Sequence, residues 1–314
     1  MGDNKRVALV LPWAGKLPWY WTAWRKSAAG RCFDVVVVQR TVEEFSRLVQ
    51  EKLLDASGRG GASPFRLPGG YKLCDLKPMY GVLFEEELRG YDYWAFGDCD
   101  LMYGRQIDAW IGKAVAGGYD VATVQRDFVA GPFTLVRNCE TCNRLFEKAA
   151  DWREILLRPK TMGFDELGED WFRKRVFGRQ PLERLRAEQS SFSSVCWRER
   201  DAGRLRLLSE EVICEAALKR GERAECRPDG ALTVGGREVP LYHFISAKGR
   251  FGFTGDDRSV WISRGWPFVR DALRFAAAWL GGDPSARRRV AEWWQRRLGN
   301  PDWWKGPAWN NLQV

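Results

Sequence analysis

The first half of the chain alternates short apolar runs with amphipathic stretches, and that alternation leaves few folds open. Residues 7–11 (Val-Ala-Leu-Val-Leu), 34–38 (Asp followed by four Val) and 91–97 (Tyr-Asp-Tyr-Trp-Ala-Phe-Gly) have the length and the β-branched or aromatic content of buried strands. Residues 120–124 and 133–136 continue the series. Between them lie stretches with helical character: 19–29, aromatic on one face; 42–54, opened by Thr41 with Glu44 three residues on, a capping box; 77–88, with Pro78 in its first turn and Gly90 after its end; and Gln106–Ala116. The segments 12–18 and 56–70, dense in Gly and Pro, read as loops. Strands alternating with helices predict an α/β fold with a mostly parallel central sheet.

Beyond residue 140 the pattern becomes more helical and more charged, with helices expected over 141–157 and 166–176. A hairpin turning at Gly235-Gly236 and a short strand over 241–245 follow. From Trp266 onward the chain reads as helical, basic and rich in Trp. The expected organisation is therefore one catalytic-size domain over 1–262, divided near residue 140 into a ligand-binding half (1–140) and an acceptor-side half (141–262), with a C-terminal extension over 263–314. With 314 residues and 45% hydrophobic content, a large core is within reach. The run after Lys5-Arg6 is too short for a signal sequence or a membrane span, which predicts a cytoplasmic protein. Eight cysteines then default to free thiols, and the single pair Cys139 and Cys142 lacks the second pair that a zinc site needs. A redox pair and two buried thiols on a helix are the readings left for it. A net charge of +9 favours anionic partners without choosing among them. Seventeen Trp residues supply core packing first, sugar stacking or membrane contact second.

The segment Gly97-Asp98-Cys99-Asp100 carries the chemistry. It follows an apolar strand directly, and open α/β sheets bind ligands at the carboxyl ends of their strands. Two carboxylates at i and i+2 both reach one hard cation, and such a cation bridges the phosphates of a nucleotide diphosphate. A D-x-D alone is common, and its plain alternative is an acidic turn or a helix cap. His243 is the only histidine; it follows a short strand and is a candidate nitrogen ligand, with Lys248 five residues on as a point charge for phosphate. Gly163-Phe164-Asp165-Glu166 offers two carboxylates ahead of a helix. Asp165, with Glu166 second, is the candidate base for deprotonating an acceptor hydroxyl, the alternative being that Asp165 caps the helix.

Taken together, the strand ending at Pro12, the segment 71–78 (Tyr-Lys-Leu-Cys-Asp-Leu-Lys-Pro) and residues 91–104 leading through the D-x-D resemble bacterial GT-A-type glycosyltransferases of a poorly characterised group. The resemblance covers the first 140 residues well and the Tyr242-His243-Phe244 segment more loosely. It implies a GT-A fold, a Rossmann-like nucleotide-binding sandwich, here with a helical, Trp-rich extension. It implies Mn²⁺ or Mg²⁺ held by Asp98 and Asp100, with His243 completing the metal shell and Lys248 on the diphosphate of a nucleotide sugar, a UDP-sugar first. The loop with Pro12, Ala14, Gly15 and Lys16 would line the nucleotide, and Lys72, Asp75 and Lys77 would lie beside the donor. Related enzymes often carry His-x-x-Gly-x-x-Lys late in the chain; here no Gly falls between His243 and Lys248. The implied reaction moves a sugar to a hydroxyl acceptor, a glycan, lipid-linked or small molecule, in surface polysaccharide or glycoconjugate synthesis.

Two other classes compete. A nucleic-acid-binding protein would explain the charge, yet the basic residues are spread along the chain and no recognition motif appears, so nucleic acid is not an expected partner. A non-catalytic carbohydrate-binding protein would use the Trp residues and leave the D-x-D unexplained. In the tail, Arg287-Arg288-Arg289, Trp293-Trp294 and Trp303-Trp304-Lys305 suit either a helical cap with solvated arginines or peripheral contact with an anionic membrane face.

Overall fold

The computed structural model describes residues 5–18, 20–55, 64–176, 178–216, 218, 222–244, 251–255 and 260–264. Strand β1 (Val7–Ala14), helix α1 (Trp21–Ala28), β2 (Asp34–Arg40) and α2 (Val42–Val49) open the fold. Thr41 caps α2 as its sequence predicts: its Oγ1 accepts from the Glu44 N–H (3.1 Å) while the Glu44 carboxylate accepts from the Thr41 N–H (2.7 Å). A π-helical turn, Gln50–Leu54, prolongs it. A 3₁₀ helix, Gly70–Met79, then runs into the single turn of α3 (Tyr80–Leu83), β3 (Tyr93–Gly97), β4 (Leu101–Tyr103), α4 (Gln106–Ala116), β5 (Val121–Thr123) and β6 (Phe133–Arg137). The α-helix expected over 77–88 is mostly 3₁₀ and turn. Pro78 has no N–H to give and disfavours the α conformation at Lys77, so the tighter helix holds until the proline is passed.

The central sheet has the order β2-β1-β3-β6-β5-β7, where β7 is Leu207–Ser209. β1 pairs in parallel with β2 and with β3, and β5 with β7; β6 alone runs antiparallel, to both β3 and β5. Period-2 alternation sends β1 and β3 residues to two separate cores. Val7, Leu9, Leu11, Tyr93 and Ala95 pack on the side of α1 and α4, whereas Ala8, Val10, Trp94 and Phe96 pack on the side of α2 and the 3₁₀ helix. This is an α/β sandwich covered on both faces, as near-continuous apolar strands require. β2 and β3 flank β1 on opposite sides, so the crevice between the carboxyl ends of β1 and β3 is a topological switch point.

β1 runs three residues further than its apolar core. Pro12, Trp13 and Ala14, expected in a loop, pair with β2, while the β1–β3 pairing stops at Val10 and Phe96. Pro12 thus sits where the strand has lost one neighbour, the position at which a sheet tolerates proline. Gly15 and Lys16 follow the strand, with Gly15 at φ +92°.

The second half breaks into shorter pieces than expected. α5 (Glu140–Asn143), a 3₁₀ turn (Leu145–Lys148) and α6 (Trp152–Leu157) replace one helix. α7 (Trp171–Val176) starts well after residue 166 because 164–167 form turns, and α8 (Leu182–Glu188) and α9 (Phe192–Asp201) follow. β8 (Ile213–Cys214), β9 (Arg223–Cys226), β10 (Leu232–Val234), β11 (Arg237–Glu238), β12 (Leu241–His243), β13 (Phe251–Gly255) and β14 (Val260–Arg264) complete the described elements. The hairpin forms at Gly235 and Gly236, both with positive φ, and belongs to a five-stranded antiparallel sheet, β11-β10-β9-β14-β13. A three-stranded sheet, β4-β12-β8, joins the two halves. Among the described residues no helix is long and apolar enough to cross a membrane. Trp24, Trp94, Trp110, Trp152 and Trp197 are core residues. Cys139 and Cys142 are free thiols at and within α5, and burial raises the Cys142 pKa above its ordinary value. The basic, Trp-rich extension beyond residue 264 and Lys248 lie outside the described residues.

Candidate metal centre

Strand pairing brings the site together. Asp98 and Asp100 follow β3 at the switch point, and β4 begins immediately after them. β4 pairs antiparallel with β12 so that Leu101 faces His243, and the Phe244 N–H donates to the Asp100 carbonyl at 3.0 Å. This register sets His243 Nε2 3.3 Å from Asp100 Oδ2, with both side chains buried. Carboxylate oxygens of Asp98 and Asp100 and a His243 ring nitrogen all lie within 4.8 Å of one another. Asp98 remains partly exposed, so the cluster is open on its side.

β8 lies parallel to β12 on the other edge, with Tyr242 opposite Cys214, and this places Glu215 beside His243. Glu215 Oε1 is 2.7 Å from His243 Nδ1. A carboxylate on one ring nitrogen fixes the ring and directs the other nitrogen toward a metal, the arrangement common to metal-ligating histidines. Burial alone would lower the His243 pKa; Asp100 and Glu215 outweigh it and push it up to about 10. The imidazolium is then the positive charge between two carboxylates, and a cation at Nε2 would have to displace its proton. Two carboxylates from the β3–β4 turn with one imidazole from β12 fit a divalent cation such as Mn²⁺ or Mg²⁺.

Lys77 closes the other side. Its buried Nζ is 2.9 Å from Asp98 Oδ1 and 3.1 Å from Asp165 Oδ2, and it donates to the Gly131 carbonyl at 2.9 Å. Burial opposes its charge, but the two carboxylates hold its pKa well above the usual lysine value. Asp165 is raised above the ordinary carboxylate range by burial, against the pull of Lys77. Glu166 is raised by burial too, and it is tied down by the Gly131 N–H at 3.2 Å and the Trp171 indole N–H at 2.7 Å. Gly131 permits this crowding: a Cβ there would lie 2.7 Å from Asp165 Oδ2 and 2.9 Å from Glu166 Oε1. Asp165 spends its carboxylate on Lys77 and does not cap a helix, since α7 begins six residues later.

Of the sequence-predicted residues, the structure thus unites Asp98, Asp100, His243, Lys77, Asp165 and Glu166. Lys72 and Asp75 are a separate matter. Both are 1% exposed, and the Lys72 ammonium donates to Asp75 (2.8 Å) and to the Ile155 and Lys160 carbonyls (2.8 and 3.0 Å). Its three protons are spent, which leaves none for a phosphate. Asp75 also accepts from the Met162 and Phe164 N–H groups at 2.8 and 3.0 Å, so the pair anchors the segment that presents Asp165. Pro12 and Ala14 end β1, with Gly15 and Lys16 just beyond it; the Lys16 carbonyl accepts from the Trp13 indole N–H at 2.8 Å and the Gly15 carbonyl from Gln39 at 2.9 Å. Glu215 has no signal in the sequence, where Ile-Cys-Glu-Ala carries no motif; only its position one residue past a strand edge marks it.

A protein-family profile described as a family of unknown function (DUF6625) matches residues 9–265. The chain belongs to that family. The matched span contains the whole candidate centre. No curated protein matches the sequence. Among solved structures, A197 from STIV is similar at 16% identity, covering 73% of this chain and 93% of that one with a TM-score of 0.30.

Proposed function

We propose that the chain is a metal-dependent glycosyltransferase of GT-A type, moving a hexose-like sugar from a nucleotide-diphosphate sugar, a UDP-sugar first, to a hydroxyl acceptor in surface polysaccharide or glycoconjugate synthesis. The observation that carries this reading is the convergence of Asp98, Asp100 and His243 donor atoms within 4.8 Å at the carboxyl end of a switch-point strand. Asp98, Asp100 and His243 would hold Mn²⁺ or Mg²⁺, which when bound would neutralise the diphosphate leaving group. Glu215 orients His243 through Nδ1. Asp165, with its raised proton affinity, would take the acceptor hydroxyl proton at its carboxylate, with Glu166 second. Lys77 holds Asp165 and Asp98 in register. The end of β1, from Pro12 to Lys16, would line the nucleotide because it forms the opposite lip of the same crevice. The donor-side elements would then lie mostly before residue 140, with His243 and Glu215 added from the second half.

The test is thermal stabilisation by UDP-sugars with and without Mn²⁺, followed by donor turnover. A true donor raises the melting temperature in the presence of metal and not in its absence, because ligands stabilise the folded state by mass action. Asp98→Asn and Asp100→Asn should abolish the metal-dependent shift. Full retention of it in both variants would rule out this site.

A further inference from the structure

A cavity of about 760 Å³ has Glu215, the partner of His243, among its lining residues. That volume is in the range of small-molecule sites. Its walls include Trp110 from α4, Arg126, Glu211 and Glu215, and Arg237 and Glu238 from the hairpin. The charges on these walls are unequally committed. Glu215 is taken by His243 at 2.7 Å and Glu238 by Arg105 at 3.1 Å. Glu211 is pushed up to about 7 by burial, against the pull of Arg126. Neither the Arg126 nor the Arg237 guanidinium makes a hydrogen bond or ion pair with any described residue. The cavity therefore sets two guanidiniums without hydrogen bonds or ion pairs to described residues beside an indole wall, with Glu215 and Glu238 committed to His243 and Arg105 and with Glu211 acted on by Arg126. Guanidinium is the side-chain group best matched to planar carboxylate and to phosphate, and indole suits the apolar face of a sugar ring.

We infer that this cavity binds an anionic sugar, one bearing a carboxylate or a phosphate, with Arg126 and Arg237 on the anion and Trp110 against the ring. Glu215 is the wall shared with the cluster, so a ligand seated here lies next to the group that orients His243. Naming the ligand as the acceptor rests on the glycosyltransferase reading; its anionic character does not.

The experiment is calorimetric titration of the full-length protein with glucuronate, glucose 6-phosphate, neutral glucose and inorganic phosphate, free of nucleotide. At least one sugar anion should bind about 10-fold tighter than glucose and than inorganic phosphate, and Arg126→Gln and Arg237→Gln should each weaken it about 10-fold. Mn²⁺ affinity and melting temperature should stay unchanged in both variants. Which of the two sugar anions wins identifies the anion. Equal binding of glucose, no binding of either sugar anion, preference for free phosphate, or indifference to both arginine substitutions overturns the inference. Asp100→Asn separates the two readings: loss of Mn²⁺ binding without loss of anion binding is expected, and intact Mn²⁺ binding in that variant sinks the metal centre while leaving the cavity to be judged on the arginine variants.

Discussion

Replacing Glu215 with glutamine tests the metal centre through a residue that would touch no metal. The 2.7 Å contact to His243 Nδ1 is retained in shape, because the amide oxygen still accepts a hydrogen bond. What is lost is the charge. A hydrogen bond to a charged group contributes roughly 1.5–3 kcal/mol and a neutral one roughly 0.5–1.5 kcal/mol, so the substitution removes about 1–2 kcal/mol of support for the ring. At about 1.4 kcal/mol per decade, Mn²⁺ affinity corrected for the proton displaced from His243 should be roughly 5- to 30-fold weaker, the correction being needed because losing the Glu215 charge also eases that proton's release. Glu215→Ala removes the acceptor altogether and should approach the upper limit of about 100-fold seen for carboxylates that hydrogen-bond metal-bound histidines. Mn²⁺ titration followed by calorimetry, or by the electron paramagnetic resonance signal of the free ion, reads both values, with Asp100→Asn as the null. The order wild type, Gln, Ala is the signature. Affinities for both Glu215 variants within about twofold of wild type would refute the claim that Glu215 positions His243.

Three further outcomes follow from the geometry. Asp75→Ala strands the Lys72 ammonium and the Met162 and Phe164 N–H groups in the core, which should cost roughly 3–5 kcal/mol in chemical denaturation while leaving Mn²⁺ affinity intact. Gly131→Ala places a methyl against Asp165 and Glu166, so donor turnover to an acceptor should fall at least about 10-fold with Mn²⁺ binding preserved; equal turnover would remove Asp165 from the reaction. Glu199 is held at about pH 2 by hydrogen bonds from Arg204 and Lys148, below its ordinary 4.5. A depressed carboxylate stabilises the fold above its unfolded pKa and loses that contribution as pH falls toward the folded value. Glu199→Gln should therefore lower stability by roughly 1–3 kcal/mol at pH 7, its cations being solvent-screened, and the gap to wild type should close between pH 4.5 and 2.

What the sequence makes legible is local. The capping box at Thr41 and Glu44, the turn at Gly235-Gly236, helix Gln106–Ala116 and the strand running into Asp98 are each specified by neighbouring residues, and each forms. The helix expected over 141–157 is interrupted at 149–151, where the chain turns so that the Phe146 and Trp152 rings meet edge to face at 5.1 Å, a tertiary contact that local pattern does not encode. The short strands β7, β8 and β9 are two to four residues long, too brief for periodicity to register. Lys72 and Lys77 look alike as basic residues near a motif, yet one is a structural tie and the other bridges the site, a difference carried entirely by the 3₁₀ helix that spaces them. Glu215 is invisible for the same reason: its role arises from a strand register and from no pattern in its own neighbourhood.

The three-stranded sheet that builds the centre has a kinetic consequence. β4 comes from the first half of the chain and β8 and β12 from the second, so no early segment contains the ligand set. Pairing strands so distant in sequence requires costly loop closure and belongs to the slow, non-local part of folding. A chain emerging from the ribosome with Asp98 and Asp100 already folded still lacks His243 and its orienting carboxylate. The full candidate ligand set forms only once the polypeptide is complete through β12, so cation binding at this set would report on finished assembly as well as on chemistry.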